Sequence, residues 1–73
     1  MKEFAIETEQ VTLGQFLQLI GVIDTGGMSK WYLQENIVYV NGEPEQRRGK
    51  KLMDGDVVLV PGAGRFIIRA FQV

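Results

Sequence analysis

The sequence predicts an α+β domain in which two short helices pack on a small, mostly antiparallel sheet of four to five strands. Three observations carry this. The chain opens on a polar/apolar alternation of period two, continues through two stretches with helical spacing, and then gives β-branched runs separated by turn dipeptides. Helical and strand signals in separate blocks favour α+β over a parallel α/β sheet. With 73 residues there is room for one core, which buries only about 60% of the surface the unfolded chain exposes. The expectation is a single domain spanning residues 1–73.

Glu3-Phe4-Ala5-Ile6-Glu7 alternates and reads as a half-buried strand. Thr12 followed by Gln15 has the form of a capping box, with Val11 and Phe16 at the staple positions, so a helix begins near Leu13. Leu13, Phe16, Leu17 and Ile20 form its apolar stripe, and Gly21 supplies a left-handed stop. A second helix is predicted from Met28 to Glu35. Side-chain oxygens of Asp24 and Thr25 are available to cap it, and Asn36, which tolerates positive φ, is placed to end it. Ile37 to Val40 is a strand running into Asn41-Gly42, a two-residue hairpin signal, and a returning strand is expected from about Glu43 to Arg47. Pro44 places that strand at an edge or an unpaired position. Asp54-Gly55 makes a turn, Val57 to Val60 a strand, Pro61 to Gly64 a loop, and Arg65 to Arg69 the last strand. Tyr39, Phe66 and Phe71 read as packing residues. Arg65 and Arg69 share a strand face and are expected to pair with Glu3 and Glu7 on a neighbouring strand.

Composition removes whole classes of chemistry. Without cysteine or histidine there are no disulfides, thiol nucleophiles, imidazole bases or ordinary zinc sites, and no cofactor is expected. Apolar runs fall far short of the roughly 18 to 20 residues that cross a bilayer, and Met1-Lys2-Glu3 is not a signal-peptide start. A soluble, cytoplasmic chain with no membrane partner is the expectation. Asp54 and Asp56, the closest carboxylate pair, flank Gly55 in a turn, and Glu43 and Glu45 fit a solvated edge strand. Gly26-Gly27 and Gly62-Ala63-Gly64 lack the context of a phosphate loop. No catalytic apparatus is visible, and the chain is expected not to be an enzyme or to take a small-molecule substrate.

The net charge of −1 conceals a polarised distribution. Residues 1–24 carry one lysine against four carboxylates, whereas residues 25–51 carry Lys30, Arg47, Arg48, Lys50 and Lys51 against Glu35, Glu43 and Glu45. Four cations around Gly49 repel one another, and an anion relieves that repulsion; phosphate is the natural partner. The plain alternative is a solvated loop. Lys30 falls in the first turn of the second helix, where a cation opposes the helix dipole. Thr25 and the open backbone of Gly26 and Gly27 can offer donors to an anion there, or can simply cap and turn the chain. Trp31 could stack on an unpaired base, although burial in or beside the core is the preferred reading.

Taken together, residues Thr12 to Val60 resemble the S4 RNA-binding domain, the αL motif. The carrying segments are Leu13-Gly14-Gln15-Phe16-Leu17, Thr25-Gly26-Gly27-Met28-Ser29-Lys30, and Val38-Tyr39-Val40-Asn41-Gly42 followed by a basic turn and Gly55-Asp56-Val57-Val58. Gly26-Gly27 before Lys30, with Arg47-Arg48-Gly49-Lys50-Lys51, more narrowly resembles the stand-alone YaaA/YbcJ-like bacterial members. The resemblance implies binding of structured RNA, chiefly ribosomal, by the helix pair and the basic turn, with a role in ribosome assembly. Lys30 matches a basic position of the second helix, and Arg47 to Lys51 match the basic turn. Thr12, Gln15 and Gly26 stand where many members are basic. A monomer is expected.

The competing reading is a protein-interaction module, such as an assembly factor that binds a ribosomal or other protein. A ubiquitin-like sulfur carrier is set aside because the sequence ends Phe71-Gln72-Val73 and not Gly-Gly. RNA binding requires Lys30 and residues 47–51 to converge on one exposed surface.

Overall fold

Two sheets organise the chain, and the connection between them is what places the basic segment. The computed structural model describes residues 1–70; Phe71 and the end of the sequence lie outside the described residues. In chain order the elements are β1 (Lys2–Ile6), β2 (Gln10–Thr12), α1 (Leu13–Leu19), a 3-10 helix (Gly26–Met28), α2 (Ser29–Glu35), β3 (Val38–Val40), β4 (Glu43–Glu45), β5 (Lys51–Met53), β6 (Val57–Val60) and β7 (Gly64–Ala70). The main sheet runs β1-β7-β6-β3-β4. Only its β1–β7 pair is parallel, and β2 and β5 form a separate antiparallel ribbon. The α+β class therefore holds, with more strands than expected.

Strand alternation builds the floor of the core. Ile6, Val38, Val40, Val58, Val60, Phe66 and Ile68 are buried on one face of the main sheet, whereas Tyr39, Val57, Leu59 and Ile67, at the alternate positions, are half-exposed. Leu13, Phe16 and Leu17 of α1 and Leu33 of α2 cover that floor. Phe16 is fully buried and meets Phe4 and Phe66 edge-on, at centroid separations of 5.1 and 5.4 Å. Each such aromatic pair contributes about 0.5–1.5 kcal/mol beyond burial. Val11 and Leu52, opposite each other in the ribbon, complete the core from the side.

The turns follow their residues. Asn41 and Gly42 both take positive φ, 52° and 84°, as a two-residue hairpin between twisted strands requires. Pro44 lies on the edge strand β4, opposite Tyr39. Asp56 accepts from the Met53 N–H (2.8 Å) and from Asn41 Nδ2 (3.1 Å), and Asp54 accepts from the Ala70 N–H (2.9 Å). Both carboxylates thus brace the turn.

Several expectations are corrected. The returning strand stops at Glu45, because the Glu45 carboxylate turns back onto the Arg47 N–H (3.1 Å). Thr25 makes no side-chain cap; α2 begins at Ser29 after the 3-10 helix, and Ser29 Oγ donates to Gly26 O (2.6 Å). Asn36 does not take positive φ: it is extended at −130°, and its N–H and Nδ2 both donate to Tyr32 O. Arg65 and Arg69 do not pair with Glu3 and Glu7. The parallel register sets Glu3 opposite Ile67 and Ala5 opposite Arg69, leaving Glu7 beyond the end of β1. Among the described residues neither arginine forms an ion pair.

Candidate nucleic-acid interface

Thr12 caps α1 as its spacing predicts: its hydroxyl accepts from the Gln15 N–H (3.2 Å), and Gln15 Oε1 accepts from the Thr12 N–H (2.9 Å). The cap leaves the first two amides of the helix to be satisfied elsewhere. They donate to the basic segment: Leu13 N–H to Lys50 O and Gly14 N–H to Arg48 O, each at 2.8 Å. With Lys51 paired to Thr12 at the end of the ribbon, the loop from Gln46 to Lys50 is moored along its backbone. Residues 46–49 remain exposed and Lys50 is half-buried.

The second helix arrives at the same place. A side chain on Gly14 would bring Cβ within 3.1 Å of Ser29 Oγ and 3.4 Å of Arg48 O, so glycine permits the close approach of α1, α2 and the loop. Ser29 is itself buried there. Thr12, Gly14, Gly26, Ser29, Arg48 and Gly49 line a shallow cleft where these segments meet. Gly26 and Gly49 are therefore neighbours in space, and Lys30 follows directly on Ser29.

The cations differ in availability. Arg47 is held by Glu45 through two parallel contacts, Nε to Oε2 at 3.0 Å and Nη2 to Oε1 at 3.1 Å. The side-chain hydrogen bond from Arg47, helped by the backbone bond from the same residue and by the Arg47 and Lys50 charges, holds the Glu45 carboxyl down at about 2. The same partner pushes the Arg47 guanidinium further up. Lys30, Arg48, Lys50 and Lys51 form no ion pair among the described residues; Lys50 is half-buried and the other three are exposed.

Thr25, Gly26 and Gly27 are all exposed. Neither Gly26 nor Gly27 takes positive φ, and a Cβ on either would meet nothing closer than 3.7 Å. The backbone conformation does not demand glycine at these positions, which lie in the 3-10 turn leading into α2. Trp31 also departs from the reading preferred above: it is 66% exposed. The spacing that could have revealed this is Ser29 to Leu33, one turn apart and both buried, which sends position 31 to the far side of α2. A serine on the inward face masked the pattern. Gly14 and Ser29, which set the approach of the helices, also escaped the sequence reading; a glycine in the first turn of a capped helix was their signal.

The chain, a helix pair packed with a cation-rich loop over a mixed sheet, belongs to the S4 domain family, whose model it matches over residues 4–68. The match is longer than the segment that first suggested it. Among curated proteins, it is 58% identical over 62 residues to "Probable ribosome maturation protein RlbA" of Bacillus subtilis (strain 168), covering 85% of this chain and 87% of that relative. Among the described residues no helix is long and apolar enough to cross a membrane.

Proposed function

We propose that the protein binds structured RNA, ribosomal RNA first of all, without performing a reaction on it, and serves ribosome assembly as a cytoplasmic monomer. The observation that carries this reading is the mooring of the basic loop by the Leu13 and Gly14 amides, with Ser29 packed against the same point. Flexible cations on a fixed backbone lose less freedom on binding. The name of the Bacillus relative supports the ribosomal context.

In this reading Lys30, Arg48, Lys50 and Lys51 contact phosphates, and Arg47 contributes less because Glu45 already occupies it. Thr25, Gly26 and Gly27 leave the backbone open to a close approach by phosphate or 2′-hydroxyl oxygens. The deep major groove of A-form RNA excludes side chains, so backbone and shape supply most of the recognition.

The test is the salt dependence of binding to tiled ribosomal RNA fragments, followed by fluorescence anisotropy of labelled RNA. Replacing Lys30, Arg48, Lys50 and Lys51 together with glutamine is expected to weaken binding and flatten the salt slope by up to about four phosphate equivalents. Wild-type affinity in that variant would remove this face from the site.

A further inference from the structure

Trp31 is the chain's one tryptophan, and the fold makes little use of it. Ser29 and Leu33 turn α2 toward the core, leaving the indole on the opposite side, outside the aromatic pairs around Phe16. Met28 stands three positions before Trp31, the spacing that makes two residues neighbours on a helix surface. Met28 is 43% exposed. Two exposed apolar side chains thus stand at this spacing, and next to Trp31 in sequence is Lys30, a cation with no ion-pair partner among the described residues.

Resting on the RNA-binding reading above, we infer that Trp31 and Met28 form a platform on which one unpaired nucleobase stacks while Lys30 engages an adjoining phosphate. The neighbouring charge selects this occupant: a nucleotide offers a flat π-face and an anion within one unit, matching an indole preceded along the helix by an ammonium group. Stacking is tolerant of base identity, because every base has such a face, but it requires a base free of its helix. The preferred RNA element is accordingly a bulge, loop or end next to a duplex. The cations hold the duplex and the indole selects the unpaired base.

With no other tryptophan in the chain, selectively excited indole emission of the wild type reports on this contact, and the affinities of wild type and variants are read from the anisotropy of labelled RNA. The ribosomal RNA fragment bound most tightly by the full chain is titrated against wild type, Trp31→Phe and Trp31→Ala, with circular dichroism confirming the fold of each. Quenching is expected to saturate along the binding curve. Trp31→Ala should weaken binding roughly five- to 150-fold with an unchanged salt slope, and Trp31→Phe should retain most of the affinity. Re-designing the fragment so that every nucleotide is paired should abolish the quenching. Fluorescence that ignores bound RNA, equal quenching by the fully paired fragment, or wild-type affinity in Trp31→Ala would each overturn the platform. If the four-cation variant still loses binding in those cases, the RNA-binding reading stands without it; a wild-type chain that binds no fragment removes both.

Discussion

Arg47 and Arg48 are adjacent and carry the same charge, yet only one is free to act on a partner. The difference is Glu45, whose carboxyl titrates at about 2 instead of its ordinary 4.5 because Arg47 bonds to it twice through the side chain. A carboxyl depressed in the folded state contributes stability that is fully present above pH 4.5 and is lost as pH falls toward 2. Glu45→Gln should therefore reduce the loss of stability across that window, measured by acid unfolding followed by circular dichroism. The effect will be small, because the arginine of this pair is exposed and screened by salt. The same substitution releases Arg47, so RNA affinity should rise and its salt slope steepen by about one phosphate equivalent. Charge identity was legible in the sequence. Charge availability was not, since it depends on where a neighbouring carboxylate folds back.

At the level of elements, the first turn of α1 joins packing to the candidate site, because Gly14 touches α2 and the basic loop at once. Valine there drives branched methyl groups into Ser29 and Arg48, both held by hydrogen bonds. Gly14→Val is expected to destabilise by about 1–3 kcal/mol, lowering the thermal midpoint by roughly 4–24 °C in a domain of this size. RNA binding measured well below that midpoint should weaken too, as the loop is displaced from its moorings. A thermal curve superimposing on wild type would deny the contact its importance. This element was read correctly as far as its cap and stripe, because seven helical residues and a capping box express a period. The strands β2 and β5 were invisible for the converse reason. Three residues cannot establish an alternation, and Val11 and Leu52 reveal their purpose only when placed opposite each other. The Asn41-Gly42 hairpin, by contrast, was fully encoded by two residues that accept positive φ.

The whole molecule is weakly acidic, with a net charge of −1, while Lys30, Arg48, Lys50 and Lys51, none of them in an ion pair among the described residues, lie on α2 and on the segment leading into β5. An RNA approaching from a distance feels the total field; once docked it feels the nearby charges. Changing Glu7, Glu9 and Asp24 to their amides moves the net charge from −1 to +2. That variant should associate faster with RNA at low salt and dissociate at an unchanged rate, a separation that stopped-flow measurements resolve. Equal association rates would show that the acidic segment lies outside the encounter.

The parallel pairing of β1 with β7 also imposes an order in time. Lys2 meets Phe66 across 64 positions of sequence, and in the main sheet β1 has no other neighbour. At the pace of translation, about 5–20 residues per second, the earlier strand waits roughly 3–13 s for the later one to be made. Phe4 and Ile6 stay without their β-partner throughout that interval. The closing of the sheet therefore cannot precede the synthesis of the segment carrying Phe66.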